Sequence, residues 1–316
     1  MKKKAKGALF LFKKRNRVPF LHRSPTSHKG DFGRVFILAG SCGLTGAAHL
    51  AGMGALRAGA GLVTVGVPEK VYSIVARREA EVMVRPFAST GEGTLAFKAL
   101  PAIEKFLKTQ DVLALGPGLS QNPETQKLIR LLLKKNKIPV VVDADGLNAL
   151  KGHTDFLKEI SGRAVLTPHP GEFVRTFGLV LPPHLYPLPH RGEGRVRSDL
   201  FRKKAAEIIA HRFKIVLVLK GHHTVVAAPD KKTYVNKSGN PGMASGGTGD
   251  VLTGVIAALI GQKLSLFEAA SLGVYLHGLA GDLAAKKMGE ASLVASDLLD
   301  SLPLALKKIK SSQFFS

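Results

Sequence analysis

At 316 residues, 45% of them hydrophobic, the chain is long enough for one large α/β domain or two smaller ones with a substantial buried core. Its one cysteine, Cys42, excludes an intramolecular disulfide and any cysteine-built metal site, and points to a reducing compartment. The net charge of +23 raises a nucleic-acid reading, but that charge is unevenly spread. Residues 1–34 carry eleven Lys or Arg against Asp31 alone, so the leading segment supplies ten of the 23 excess positive charges. Residues 1–26 read as a basic extension, solvated and poorly ordered. The apolar run 7–12 is shorter than a signal-peptide core and meets Lys13-Lys14-Arg15 at once, with no small-residue cleavage site after it. No uninterrupted apolar stretch reaches transmembrane length. The expected location is the cytoplasm.

From Arg34 onward short apolar runs alternate with amphipathic stretches, the pattern of a mostly parallel sheet covered by helices on both faces. The expected strands are 35–38, 62–67, 82–86, 112–115, 140–142, 164–166 and 215–219, followed by a hairpin-like pair at 223–228 and 233–235. Helical spacing marks 47–58, 94–109, 124–135 and 199–211, and the chain after Gly249 is nearly all helix. Residues 180–198 hold too many prolines and glycines for a helix or central strand and read as an inserted surface loop within a domain spanning 27–310. Several strands run straight into glycine-rich or polar turns, and in an open α/β sheet such turns share one edge, beside which ligands bind.

The segment from Asn240 to Asp250 combines glycines, a carboxylate and the start of an apolar helical pattern. Gly246, Gly247 and Gly249 let the backbone approach an anion closely, and the free N–H groups of the helix start, with its dipole, would bind a phosphate beside Asp250. Thr248 or Asp250 acting as an ordinary helix cap is the competing reading. Lys220 ends the apolar run 215–219 and wants an anionic partner; a nucleotide phosphate would serve, with Thr224 and the Gly221 backbone nearby, and snorkelling to the sheet edge is the alternative. Pro168 and Pro170 hold His169 in a fixed direction, either as a donor to a ligand or as a satisfied turn residue, with Glu172 complementing the helix dipole. Gly116-Pro117-Gly118 permits close approach of a ligand or makes a tight turn. The small residues around Ala47 leave space beside the first strand. Asp143 and Asp145 at another strand end could hold Mg2+ through water. No P-loop, Rossmann glycine fingerprint, nucleophile elbow or zinc-ligand spacing is present.

Jointly these blocks resemble one family, the ADP-dependent NAD(P)H-hydrate dehydratases of the ribokinase-like superfamily. The resemblance spans residues 27–309 apart from the proline-rich insert and rests on His28-Lys29-Gly30-Asp31-Phe32-Gly33, on Thr45-Gly46-Ala47-Ala48 through Arg57-Ala58-Gly59-Ala60-Gly61-Leu62-Val63, and on Gly116-Pro117-Gly118-Leu119. It continues in Asp143-Ala144-Asp145-Gly146-Leu147-Asn148, Thr167-Pro168-His169-Pro170-Gly171-Glu172, Lys220-Gly221 with Thr224, and Asn240 to Asp250. It implies a three-layer α/β/α ribokinase-like fold with a mostly parallel central sheet. The implied activity is repair of hydrated NADH or NADPH: ADP phosphorylates the ring hydroxyl, phosphate is eliminated, and AMP and phosphate leave with the restored cofactor. Implied roles are Asp250 as catalytic base, Ala47, Gly118, His169 and Asp250 as hydrate-binding residues, and Lys220, Gly221, His222, His223, Thr224 and Gly249 as nucleotide-binding residues. Mg2+ is the expected cofactor, ADP the co-substrate, and no metal ligand is assigned. A homo-oligomer, with a tetramer as a candidate size, is expected; membranes and nucleic acids are not expected partners. Two departures bear on substrate preference: His222-His223 inside the lysine motif, and Leu44 where an aromatic often stands. Relatives often carry an epimerase domain ahead of this region, and no epimerase activity is expected from these residues. The rivals are an ATP-dependent kinase of the same superfamily, which would share Gly247-Thr248-Gly249-Asp250, and a nucleic-acid binder led by the basic extension.

Overall fold

The computed structural model of the protein describes residues 23–181 and 195–314. Most of the basic extension and most of the proline-rich insert, about which expectations are given above, lie outside the described residues. In chain order the elements are β1 (Arg34–Leu38), α1 (Thr45–Arg57), β2 (Leu62–Pro68), α2 (Tyr72–Ala76), β3 (Met83–Phe87), α3 (Leu100–Leu107), β4 (Val112–Leu115), α4 (Pro123–Lys135), β5 (Val140–Val142), α5 (Ala144–Asn148), α6 (Phe156–Glu159) and β6 (Ala164–Leu166). They continue through α7 (Pro170–Phe177), α8 (Arg195–Phe213), β7 (Val216–Leu219), β8 (Val225–Ala227), β9 (Thr233–Val235), α9 (Thr248–Gly261), α10 (Leu266–Met288) and α11 (Ala295–Phe314).

The strands make one sheet in the order β3-β2-β1-β4-β5-β6-β7-β8-β9, parallel from β3 to β7 and antiparallel at β8 and β9. The parallel strands are short and almost wholly apolar because helices cover both of their faces. Alternate residues of each strand feed two separate cores. Val35, Ile37, Ala114, Val141, Val165 and Val216 pack with α1, α9, α10 and α11, whereas Phe36, Leu38, Leu115, Val142, Leu166 and Leu217 pack with α3, α4, α7 and α8. This is the expected three-layer α/β/α arrangement. All seven expected parallel strands form, with ends moved by a residue or so.

The main departure lies at 94–109, where the α-helix covers only Leu100–Leu107 after a 3-10 turn at Phe97–Ala99. Leu95 bridges Ser89 in antiparallel fashion, and Pro101 sits in the first helical turn, so the helix starts later than the spacing suggests. Strand order reverses about β1, which has β2 on one side and β4 on the other. Ligand crevices open at such a point, beyond the strand C-termini.

Candidate active site

The strand-end turns do converge. After β1, Gly40 N–H donates to the Pro117 carbonyl at 2.8 Å and Ser41 Oγ donates to the Gly118 carbonyl at 2.8 Å, tying the turn before α1 to the turn after β4. Gly118 has φ +63°, and a Cβ there would lie 2.9 Å from both the Ala47 Cβ and the Leu44 carbonyl oxygen. Ala47 and Gly118 are therefore neighbours, and glycine is required at the second position both for its backbone angle and for room.

Beside them stands an ionic cluster. Lys220, at the end of β7, places Nζ 2.6 Å from Asp143 Oδ1 and 3.8 Å from Glu172 Oε2. Asp143 is 1% exposed, and its other oxygen accepts from Thr253 Oγ1 of α9 at 2.8 Å. Burial opposes the Lys220 charge, but Asp143, Glu172 and Asp250 outweigh it and hold its pKa above the usual lysine value. The ammonium thus stays protonated while two of its three neighbours are already bonded to the fold.

The glycine-rich segment runs into this cluster from the other side. Gly247, at φ +88°, is the N-cap of α9 and brings no side chain to it. Thr248 does not cap either; its hydroxyl donates backwards, to the Met243 and Ser245 carbonyls. The first helical N–H to find a carbonyl is that of Val251, which reaches Gly247 O at 3.3 Å, so the N–H groups of Thr248, Gly249 and Asp250 have no helical acceptor. A Cβ on Gly249 would lie 3.3 Å from Lys220 Nζ and 3.7 Å from Asp143 Oδ2. The helix dipole, the free N–H groups and the ammonium all favour an anion at this spot.

Asp250 occupies the first turn of α9. Burial first, then the Asp143 carboxylate, push its pKa up to about 7 against the pull of Lys220, with Asp145 and Glu172 adding to the rise. A carboxylate with a pKa near neutrality is poised to accept a proton. Its surroundings make Asp250 a stronger base than an ordinary carboxylate.

His169 is the N-cap of α7 and closes a reciprocal box: its Nδ1 accepts from Gly171 N–H at 3.0 Å, while Glu172 Oε2 accepts from His169 N–H at 2.8 Å. With Nδ1 occupied as an acceptor, the ring proton belongs on Nε2, on a side chain that is 49% exposed. Burial, with Lys220 and Arg175, lowers the His169 pKa against Glu172 and Asp143, so the ring is a neutral donor at neutral pH. Glu172, expected only as a dipole partner, also faces Lys220.

The rest of the lysine motif forms a rim. Gly221 has φ +131°, Thr224 Oγ1 donates to the Gly221 carbonyl at 2.9 Å, and Arg202 of α8 donates to the carbonyls of Leu219, Lys220 and His222. The His222 and His223 rings stack with centroids 3.9 Å apart, and His223 Nδ1 lies 2.8 Å from Asp199 Oδ2. Lys220 and Gly249 meet directly, whereas Gly221–Thr224 border them.

Asp143 and Asp145 are each bonded within the fold. Asp143 bonds Lys220 and Thr253, and Asp145 accepts from Ser120 N–H at 2.8 Å and from Asn148 Nδ2 at 3.0 Å. Among the described residues no group of three or more His, Cys, Asp or Glu could hold a metal. That donor set fits an Mg2+ that arrives on phosphate oxygens and water, with at most one or two carboxylates nearby.

Sequence reading missed Thr253, His277, Asp282 and Arg202. The first three are polar positions inside the apolar helices α9 and α10, and only their disagreement with those helices' apolar character could have flagged them.

Comparisons with known proteins give the family of the chain. The profile of the NAD(P)H-hydrate dehydratase family matches residues 35–304. The bifunctional NAD(P)H-hydrate repair enzyme Nnr of Moorella thermoacetica is 45% identical over 296 residues, covering 94% of this chain and 53% of that protein. The chain thus spans about half the length of such bifunctional relatives. The ADP-dependent (S)-NAD(P)H-hydrate dehydratase of Bacillus subtilis is 34% identical over 294 residues, covering 93% of this chain and 96% of that one. The crystal structure of the ADP/ATP-dependent NAD(P)H-hydrate dehydratase of Bacillus subtilis, co-crystallised with ATP and Mg2+, superposes with a TM-score of 0.70 at 31% identity, covering 91% of this chain and 93% of that one.

Proposed function

The chain belongs to the NAD(P)H-hydrate dehydratase family, and we propose that it restores NADH or NADPH from the S-form hydrate at the expense of ADP. The observation that carries phosphoryl transfer is Asp250, with its pKa raised to about 7, in the first turn of an uncapped helix whose Gly249 faces Lys220, and the family match supports the dehydratase over a kinase.

The steps follow from the chemistry of the groups. Hydroxide is a poor leaving group, so the ring hydroxyl is first phosphorylated: a bond forms from that oxygen to the terminal phosphorus of ADP, and the bond to AMP breaks. Asp250 takes the hydroxyl proton as that bond forms, which its raised pKa favours. The N–H groups at the start of α9 and the Lys220 ammonium offset negative charge on the transferring group. Loss of phosphate with its bonding electrons, and of a proton from the substrate, then restores the dihydronicotinamide. His169 Nε2–H is a fixed donor for the hydrate, and Ala47 and Gly118 leave a flat wall for its ring. Gly221, His222, His223 and Thr224 border the nucleotide. Mg2+ supplies positive charge to the phosphates when it is bound with them.

The proposed setting is the cytoplasm and the proposed assembly a homo-oligomer. No helix among the described residues is long and apolar enough to cross a membrane.

The test is to mix the protein with chemically hydrated NADH, Mg2+ and either ADP or ATP, and to follow near-ultraviolet absorbance. Recovery with ADP is expected. Recovery with ATP alone would move the phosphoryl donor, and recovery with neither would refute the reading.

A further inference from the structure

Helix α10 holds both ends of the glycine-rich segment. At the segment's start, Asp282 accepts from Gly239 N–H at 3.1 Å and from Asn240 Nδ2 at 3.2 Å. At its end, His277 Nε2 lies 2.8 Å from the Thr248 carbonyl oxygen. Between them the segment lies close against the helix: a Cβ on Gly281 would sit 2.7 Å from Met243 Cγ, and one on Gly278 would sit 2.7 Å from the Ser238 carbonyl carbon. At Gly278 a larger side chain would meet backbone, and at Gly281 it would meet the Met243 side chain.

The His277 contact falls on a consequential peptide. A carbonyl oxygen can only accept, so Nε2 carries the proton and donates. Because the peptide unit is planar and trans, the Thr248 carbonyl and the Gly249 N–H point in opposite directions within one rigid plane. A donor that fixes the first therefore fixes the second, in a residue whose Cβ position would lie 3.3 Å from Lys220 Nζ. Donation to the carbonyl also polarises the same peptide and makes its N–H a stronger donor. Burial pushes the His277 pKa down to about 4, with the Thr248 bond opposing and Lys220 assisting, so the ring keeps a single proton throughout the working range.

We propose that His277 is a positioning residue for the reaction, acting through the Thr248–Gly249 peptide to aim one of the N–H donors that meet the transferring phosphate. This rests on the dehydratase reading for its rate measurement, and on nucleotide binding alone for an independent one.

The test compares His277→Leu, which keeps bulk and loses the donor, with His277→Gln, whose amide reaches the place of Nε2. The expected result is that H277L lowers kcat by about 10-fold to 100-fold while KM for the hydrate changes by less than about threefold, and that H277Q recovers kcat to within about threefold of the parent protein. ADP affinity by calorimetry should follow the same order. If the parent protein shows no dehydration, the dehydratase reading fails while weaker ADP binding by H277L than by H277Q still supports the positioning role. Should H277L not fold, His277→Asn replaces it, since its amide stops short at the place of Nδ1 and should lose what H277Q keeps. Equal kcat and equal ADP affinity among the folded proteins, or an H277Q as impaired as the variant lacking the donor, would overturn the proposal.

Discussion

On one face of the sheet helix backbones nearly touch; on the other, leucine and phenylalanine side chains fill the gap. A Cβ on Gly54 of α1 would lie 2.6 Å from the Val251 carbonyl oxygen of α9, and one on Gly254 of α9 would lie 2.7 Å from the Ala55 nitrogen of α1. Across the sheet Phe36, Leu128, Ile129, Leu132, Phe173 and Phe177 are fully buried and meet through their side chains. Both faces exclude water, yet only the first can set a backbone to within a few tenths of an ångström. It is the face that carries the N-terminus of α9, whose N–H groups are the proposed donors to the phosphate. The difference shows that a site built from backbone donors needs a support that is itself backbone, whereas side-chain packing suffices for a face that presents side chains such as His169 and Glu172.

The contrast can be broken most severely at the helix contact. Gly254→Leu should cost more than about 4 kcal/mol, or prevent folding, because no rotamer relieves a clash with backbone. Ile129→Ala, in the opposite core, should cost about 2–5 kcal/mol and leave kcat within about threefold. Denaturant unfolding of both, with turnover of the alanine variant, decides the matter: a mild G254L or a catalytically dead I129A would erase the distinction between the faces.

Next in size is Asp250→Asn, which should lower turnover by about 10²–10⁴-fold while the protein folds and binds ADP. Turnover near that of the parent protein would remove Asp250 as the base. The smallest expected effect is that of pH. Below pH 7 a proton on Asp250 blocks its role, so kcat/KM should fall about tenfold per unit as pH drops. Stability moves the other way. The folded pKa of about 7 exceeds the ordinary carboxylate value, so the fold favours the protonated form, and the stabilisation present at acid pH is lost as pH rises through about 7. Asp250→Asn should therefore gain stability over the parent protein at pH 8 by roughly 1–2 kcal/mol, allowing for the solvent that still reaches this side chain, and lose the advantage near pH 4. Thermal unfolding of the two proteins at both pH values measures this; parallel curves would mean that Asp250 is not buried as a costly charge.

The sheet, its parallel sense and the edge at which ligands gather were legible in the chain alone. Those follow from local rules: continuous apolar runs mark strands covered on both faces, and glycine or proline turns mark their ends. Turn chemistry marked Gly118, His169, Lys220, Gly249 and Asp250 at strand ends and helix starts, and it was the family resemblance that joined them with Ala47 into one set. What those residues face was settled by folding. Asp143 lies 77 positions from Lys220 and 110 from Thr253 along the chain, and nothing local says that one carboxylate binds both. The sequence offered Asp143 and Asp145 at one strand end, and only the fold shows which protein donors each of them accepts from. The pKa of Asp250 belongs to the same class, since burial and charges from three other strand ends set it. His277 and Asp282 remained hidden because a polar side chain within an apolar helix shows its purpose only when the segment it grips lies against it.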